Sequence, residues 1–281
     1  MRLTPNFFIV GTPKSGTTSL FYYLQEHPEV FLPKIKEPHF FSYPEVENTY
    51  YKVKIVKSKN EYFDLFESKK DYKAVGDLST SYLFNSKSAE RIYHFNPNSK
   101  IIMVLRNPVE RALSHYLMDI NLGYIKVPLQ EVINNKEKYK QHYNEYIEPG
   151  FYDQQIISYK NYFNDDQILI ILSDNLFKNT SKSLNKIFDF LEVSKNNSES
   201  KKEVHNQYSE PRYKVFNIIA RSNNLKSLIP SHLKSKLKHI FYKKNAEKPN
   251  LKQEAILLKE LYNNSIANTE VIINQDLSNW K

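Results

Sequence analysis

The 281-residue chain contains no cysteine, which excludes disulfides, thiol catalysis and thiolate metal sites, and its eight histidines show no paired metal-ligand spacing. Long apolar runs are missing too. The longest, such as Ile101-Ile102-Met103-Val104-Leu105, is strand-sized and far below the ~20 residues a membrane helix requires. One arginine precedes the strand-like run that begins at Phe7, which leaves no room for the charged, apolar and cleavage regions of a signal peptide. A cytoplasmic protein without a membrane span is expected. Glycine is scarce, with five in the chain, and two of them, Gly11 and Gly16, frame one short stretch.

The content that remains is 40% apolar and 14% aromatic, enough for a full core, and a single domain over residues 1–281 is expected. The net charge of +9 admits an anionic partner, although most lysines read as solvated helix faces. No nucleic-acid partner is expected. The lysines are scattered, no zinc-finger or RNA-recognition signature occurs, and the 21 tyrosines and 17 phenylalanines fall mostly in apolar-periodic segments that read as core.

Four apolar, β-branched or aromatic runs, at Phe7–Val10, Ala74–Leu78, Ile101–Leu105 and Ile168–Leu172, alternate with helical patterns. Such alternation predicts an α/β fold, a P-loop-like central parallel sheet flanked by helices. The helices are expected at Thr18–Glu26, Lys87–Phe95, Val109–Ile120, Tyr152–Phe163 and Ser181–Leu191, the third entered through the cap and first-turn proline Asn107-Pro108. Ser194–Glu203 is polar and aperiodic and reads as a loop. Helical patterns follow at Tyr213–Arg221, His232–Phe241 and Leu251–Ile273, so residues 192–281 are expected to form a mainly helical C-terminal extension.

Between the first strand and the first helix stands Gly11-Thr12-Pro13-Lys14-Ser15-Gly16-Thr17-Thr18-Ser19. A strand, a glycine-containing turn and a helix start place backbone N–H groups and the positive helix end at one spot, an anion site, with hydroxyls from Ser15 to Ser19 as further donors. A Walker loop reads G-x-x-x-x-G-K-S/T, but here Thr17-Thr18 follow Gly16 and Lys14 lies inside the loop. The strand that would carry a metal-holding aspartate ends instead in Arg106, so no metal is provided for there.

Pro13-Lys14-Ser15-Gly16-Thr17-Thr18 resembles the 5′-phosphosulfate loop of sulfotransferases that use 3′-phosphoadenosine 5′-phosphosulfate (PAPS). Leu105-Arg106-Asn107-Pro108 through Ser114-His115-Tyr116 resembles the strand–turn–helix with which that family binds the cofactor's 3′-phosphate, the matching residues being Arg106 and Ser114. Gly150-Phe151-Tyr152, Pro211-Arg212 and Asp276-Leu277-Ser278-Asn279-Trp280 extend the similarity over nearly the whole chain. The resemblance implies that Lys14, Ser15, Gly16, Thr17, Thr18, Ser19, Arg106 and Ser114 bind PAPS, that adenosine 3′,5′-bisphosphate is the product, and that Arg212 belongs to a loop covering the cofactor. An arginine at a strand end and a serine on the following helix can both reach a phosphate at the carboxyl ends of parallel strands.

Lys34-Ile35-Lys36-Glu37-Pro38-His39-Phe40-Phe41 is similar to the K-E-x-H-F-F segment of heparan sulfate 3-O-sulfotransferases and their bacterial relatives. That similarity implies Glu37 as general base and His39 as an assisting group. For the in-line displacement, Lys14 in the loop is the candidate to stabilise the leaving oxygen without a metal. The bland alternative is a surface carboxylate paired with Lys34 or Lys36, and a His39 that packs with the two phenylalanines. The glycan enzymes carry an aspartate after the phenylalanines, where Ser42 stands here. Asp77, ending its strand, is a reserve base or a turn cap. The acceptor expected is a hydroxyl, ahead of an amine, on a carbohydrate or glycolipid, with Tyr43–Asn60 and Leu122–Pro149 lining its cleft. A small-molecule P-loop kinase and a non-catalytic module that binds an anionic polymer are the alternatives. The oligomeric state stays open.

Overall fold

Strand β1 (Phe7–Gly11) is buried along its length and its side chains divide by parity, Phe7 and Ile9 entering one apolar cluster and Phe8 and Val10 another. Two clusters require two covered faces, and the sheet is sandwiched accordingly. The computed structural model describes residues 1–49, 54–195 and 249–281, together with the backbone pairing of Glu210–Pro211 with Tyr242–Lys243. Arg212, the helices expected at Tyr213–Arg221 and His232–Phe241, and the polar stretch from residue 196 to Glu203 lie outside the described residues.

From β1 the chain runs through α1 (Thr17–Gln25), a short β2 (Val30–Phe31), an irregular stretch, and α2 (Lys59–Asp64) into β3 (Ala74–Leu78). Helices α3 (Ser81–Phe84) and α4 (Ser88–Phe95) lead to β4 (Lys100–Leu105), which feeds α5 (Pro108–Leu122). After α6 (Leu129–Asn134), α7 (Lys140–Tyr146) and α8 (Tyr152–Lys160) comes β5 (Ile168–Leu172), followed by α9 (Ser173–Lys178) and α10 (Thr180–Leu191). The C-terminal helix covers Lys252–Ile273.

The five strands are parallel in the order β2-β3-β1-β4-β5. The four expected strand runs are all in this sheet. The fifth member, β2, is a two-residue edge strand, too short to leave a periodic signal. The chain leaves β1 toward β3 on one side and later toward β4 on the other, so the crevice for a ligand lies at the carboxyl ends of β1 and β4. Among the described residues no helix is long and apolar enough to cross a membrane.

The C-terminal extension is helical where described, but it also contains the two-residue antiparallel ladder at Glu210–Pro211 and Tyr242–Lys243. The stretch expected to line a cleft at Leu122–Pro149 is largely structural. It folds into α6 and α7, whose Leu129, Val132, Tyr143 and Tyr146 are buried in the core.

Candidate active site

The loop after β1 is shaped by backbone conformation. Lys14 and Gly16 have φ of 69° and 90°, and alternation of left-handed residues with ordinary ones turns successive N–H groups to one side. Among the described residues the N–H groups of Lys14 through Thr18 meet no hydrogen-bond acceptor. Glycine suits position 16 because its φ of 90° is one that L side chains rarely adopt, and a Cβ there would also meet the Phe177 ring at 2.3 Å.

This loop forms one wall of a cavity of about 560 Å³. Lys14 reaches into it, its ammonium 3.4 Å from the Met118 sulfur and in no ion pair among the described residues. Burial pushes its pKa down, Asp119 opposes that, and Arg106, Arg111 and Lys36 add to it. Gly16, Thr17, Thr18 and Ser19 also line the cavity. The Ser15 hydroxyl does not; it is enclosed and without a partner among the described residues, leaving its N–H as the group that can serve an anion.

Arg106, at the end of β4, lines the same cavity and ties two elements together. Its Nη1 donates to the Lys14 carbonyl at 3.1 Å, while Nε and Nη2 donate to Glu110 at 3.2 and 3.0 Å. The arginine therefore has a carboxylate partner in the free protein, on an exposed helix residue. Glu110, Ser114 and Met118 all line the cavity, and their four-residue spacing makes them one face of α5.

The opposite wall carries Glu37. Its carboxylate pairs with Lys36, accepts from Thr80 Oγ1 at 3.1 Å and lies 3.7 Å from His39 Nε2. Burial pushes the carboxyl pKa up, but Lys36, His39 and Thr80 outweigh it and hold the group below the usual carboxylate range. The pairing with Lys36 was the bland expectation, yet both residues face the cavity. His39 lines it as well, with Nδ1 2.7 Å from Ser81 Oγ; burial pushes its pKa down, so the ring is neutral at neutral pH. Ser42 is fully buried outside the cavity, 2.7 Å from that same Ser81 oxygen and donating to the His39 carbonyl at 3.2 Å.

Asp77 is also outside the cavity. It is fully buried, and its oxygens accept from the hydroxyls of Tyr62, Tyr82 and Ser79 at 2.9, 2.8 and 3.2 Å. Neither oxygen is open to an acceptor, so the reserve-base role does not fit this geometry.

Several wall residues have no motif to announce them: Thr80, Met118, Glu145 and Phe177. Of the two segments expected to line a cleft, Val46 and Thr49 of the first and Glu145 of the second reach the wall. Burial pushes the Glu145 pKa up to about 7, with Asp119 adding to the shift and Arg111 opposing it. Its only trace in the sequence is its place in the Tyr- and Lys-rich segment.

Comparison with known proteins gives a consistent result. The sulfotransferase-domain family's sequence profile matches residues 4–253. Over 116 residues the chain is 38% identical to the membrane-associated sulfotransferase kil1 of Dictyostelium discoideum, an alignment covering 41% of this chain and 23% of that protein. It is 25% identical over 256 residues to carbohydrate sulfotransferase 15 of Homo sapiens, covering 69% and 44% respectively. The chain thus spans less than half the length of these curated relatives. Among solved structures, a sulfotransferase from Alicyclobacillus acidocaldarius matches with a TM-score of 0.74 at 28% identity, covering 99% of both chains.

Proposed function

Since the chain belongs to the sulfotransferase family, we propose that residues 1–281 act as one PAPS-dependent domain that sulfates a hydroxyl of a carbohydrate or glycolipid, with Glu37 as general base. The observation that carries the reading is a shared cavity, bordered by an ionised, hydrogen-bonded carboxylate and by a half-buried ammonium and a row of N–H groups that, among the described residues, meet no ion-pair partner and no acceptor.

The chain fits the cofactor on its own terms. N–H groups and a half-buried lysine without partners among the described residues are costly unless an anion completes them, and a phosphosulfate is such an anion. The loop from Lys14 to Ser19 would hold it, while Arg106 and Ser114 would hold the second phosphate. When bound, PAPS supplies a sulfuryl group attached to a good leaving group. Lys14 Nζ then stabilises the negative charge that grows on the leaving side. Glu37 Oε2, kept in place by Thr80, takes the acceptor hydroxyl's proton. The neutral His39 ring stands beside that oxygen and orients the hydroxyl without competing as a cation. The acceptor class is supported by the Glu37–Phe41 motif and by the name of the human relative.

A small-molecule kinase would need a lysine where Thr17 stands. A passive polymer-binding cleft gives no reason for an ionised carboxylate beside the anion loop. Purified protein is expected to bind adenosine 3′,5′-bisphosphate in calorimetry and to transfer label from PAPS to a member of a panel of glycans, phenols and lipids. Glu37→Gln should lower kcat by about 10²- to 10⁴-fold while leaving bisphosphate affinity nearly unchanged. Absence of bisphosphate binding would overturn the reading, and retained turnover in the variant would remove Glu37 as base.

A further inference from the structure

Residues Leu32 to His39 follow no regular element, yet they carry both Glu37 and His39 to the cavity. The backbone there is strained. Glu37 and His39 have φ of 61° and 57°, in the left-handed region that non-glycine residues avoid, and Glu37 also precedes a proline, which favours extended backbone. Such a conformation persists only where the surroundings over-determine it.

Three backbone N–H groups anchor the segment. Glu37 donates to the Leu78 carbonyl at 2.9 Å, His39 to Ser79 Oγ at 3.2 Å, and Phe41 to the Tyr82 hydroxyl at 3.4 Å. Two of these three acceptors are hydroxyls, and a hydroxyl has one proton to give. Both give it to Asp77, Ser79 to Oδ1 at 3.2 Å and Tyr82 to Oδ2 at 2.8 Å. With their protons committed to the carboxylate, Ser79 and Tyr82 present only lone pairs to the segment. Tyr62, donating to Oδ2 at 2.9 Å, fixes the carboxylate in turn.

We propose that Asp77 is a positioning residue for sulfuryl transfer: by making Ser79 and Tyr82 obligate acceptors, it locks the strained Glu37–Phe41 segment so that the Glu37 carboxylate faces the cavity. This rests on the reading of Glu37 as base. It also gives this buried carboxylate a role that an apolar residue could not fill, since an apolar side chain would leave three hydroxyls without their acceptor and free two of them to rotate.

The test is steady-state kinetics with PAPS, together with calorimetric binding of adenosine 3′,5′-bisphosphate, on Asp77→Asn, Ser79→Ala, their double variant and Glu37→Gln. An amide at position 77 offers an N–H where a carboxylate oxygen accepted, so the polarity of one hydroxyl must turn. Asp77→Asn and Ser79→Ala are each expected to lower kcat on the order of 10- to 100-fold through misplacement of the base, with bisphosphate affinity unchanged. The double variant should be no slower than the slower single variant, because both act through one chain of contacts. The proposal is overturned by wild-type kcat in Asp77→Asn, by losses that multiply in the double variant, or by bisphosphate affinity falling in step with kcat. Should Asp77→Asn fail to fold, Ser79→Ala and Tyr82→Phe decide, and wild-type kcat in both overturns it. Turnover retained by Glu37→Gln counts against the base assignment instead, whatever the Asp77 variants do.

Discussion

Lys14 shows how much one side chain's surroundings determine. Its position inside the loop instead of after Gly16 is legible in the sequence, but its electrostatics are not, because they arise from Asp119, Arg106, Arg111 and Lys36, brought from three other segments. Burial and the three cations lower its pKa in the free protein, whereas a bound polyanion raises it again. The sign follows from linkage: binding takes up a proton wherever the free lysine is partly neutral. Affinity for adenosine 3′,5′-bisphosphate should therefore fall as pH rises through the lowered lysine pKa, earlier than an ordinary lysine would dictate. Lys14→Met, of similar length and without charge, should abolish that alkaline limb in calorimetry and lower kcat by about 10²- to 10³-fold. Glu37 and His39 were singled out in the same way from a motif, and the structure brings them together on the cavity wall. Thr80 and Glu145 were not, since a lone threonine or glutamate among many carries no spacing that marks it.

At the scale of elements, α5 carries the most legible signal. The Asn107 side chain accepts from the N–H groups of Val109 and Glu110 at 3.0 and 3.3 Å, Pro108 fills the first turn, and Gly123 ends the helix at φ 68°. All three are local and can be read from residue type. This cap lies between Arg106 and the Ser114 face, so it sets where both stand. Asn107→Ala should cost about 1 kcal/mol of stability, measured as a lower urea midpoint, and should weaken bisphosphate binding besides. β2 and the helices α6 and α7 were missed for the opposite reason. They are short, and it is packing that defines them, of β2 against β3, of α7 against α5, and of α6 against α7 and the C-terminal helix.

For the whole molecule, the C-terminal helix is joined to the site through α8. Ser265 and Asn268 donate to the Asp153 carboxylate at 2.5 and 3.0 Å, and Tyr262 donates to the Ile147 carbonyl at 2.7 Å. Next to Asp153, Tyr152 packs edge-on to Trp280 and donates to the Arg106 carbonyl at 2.8 Å, so the end of the chain braces the strand end that carries the cavity arginine. Asp153→Ala leaves the buried Ser265 hydroxyl without its acceptor and frees the exposed Asn268 amide to water, and should cost about 1–3 kcal/mol in denaturant unfolding, with kcat unchanged well below the transition.

The sequence by itself determined the parallel α/β plan, the anion loop and the Arg106–Ser114 pair, because each is written in local periodicity, glycine placement or a short motif. The tertiary structure alone decided which carboxylates face the cavity. Glu37, paired with the Lys36 ammonium and held by the Thr80 hydroxyl, stays ionised at the cavity, whereas Asp77, a strand-end residue of the same chemical kind, is closed off by three hydroxyls. That difference is one of burial and hydrogen-bond partners from distant segments, and neither quantity exists until the chain has folded.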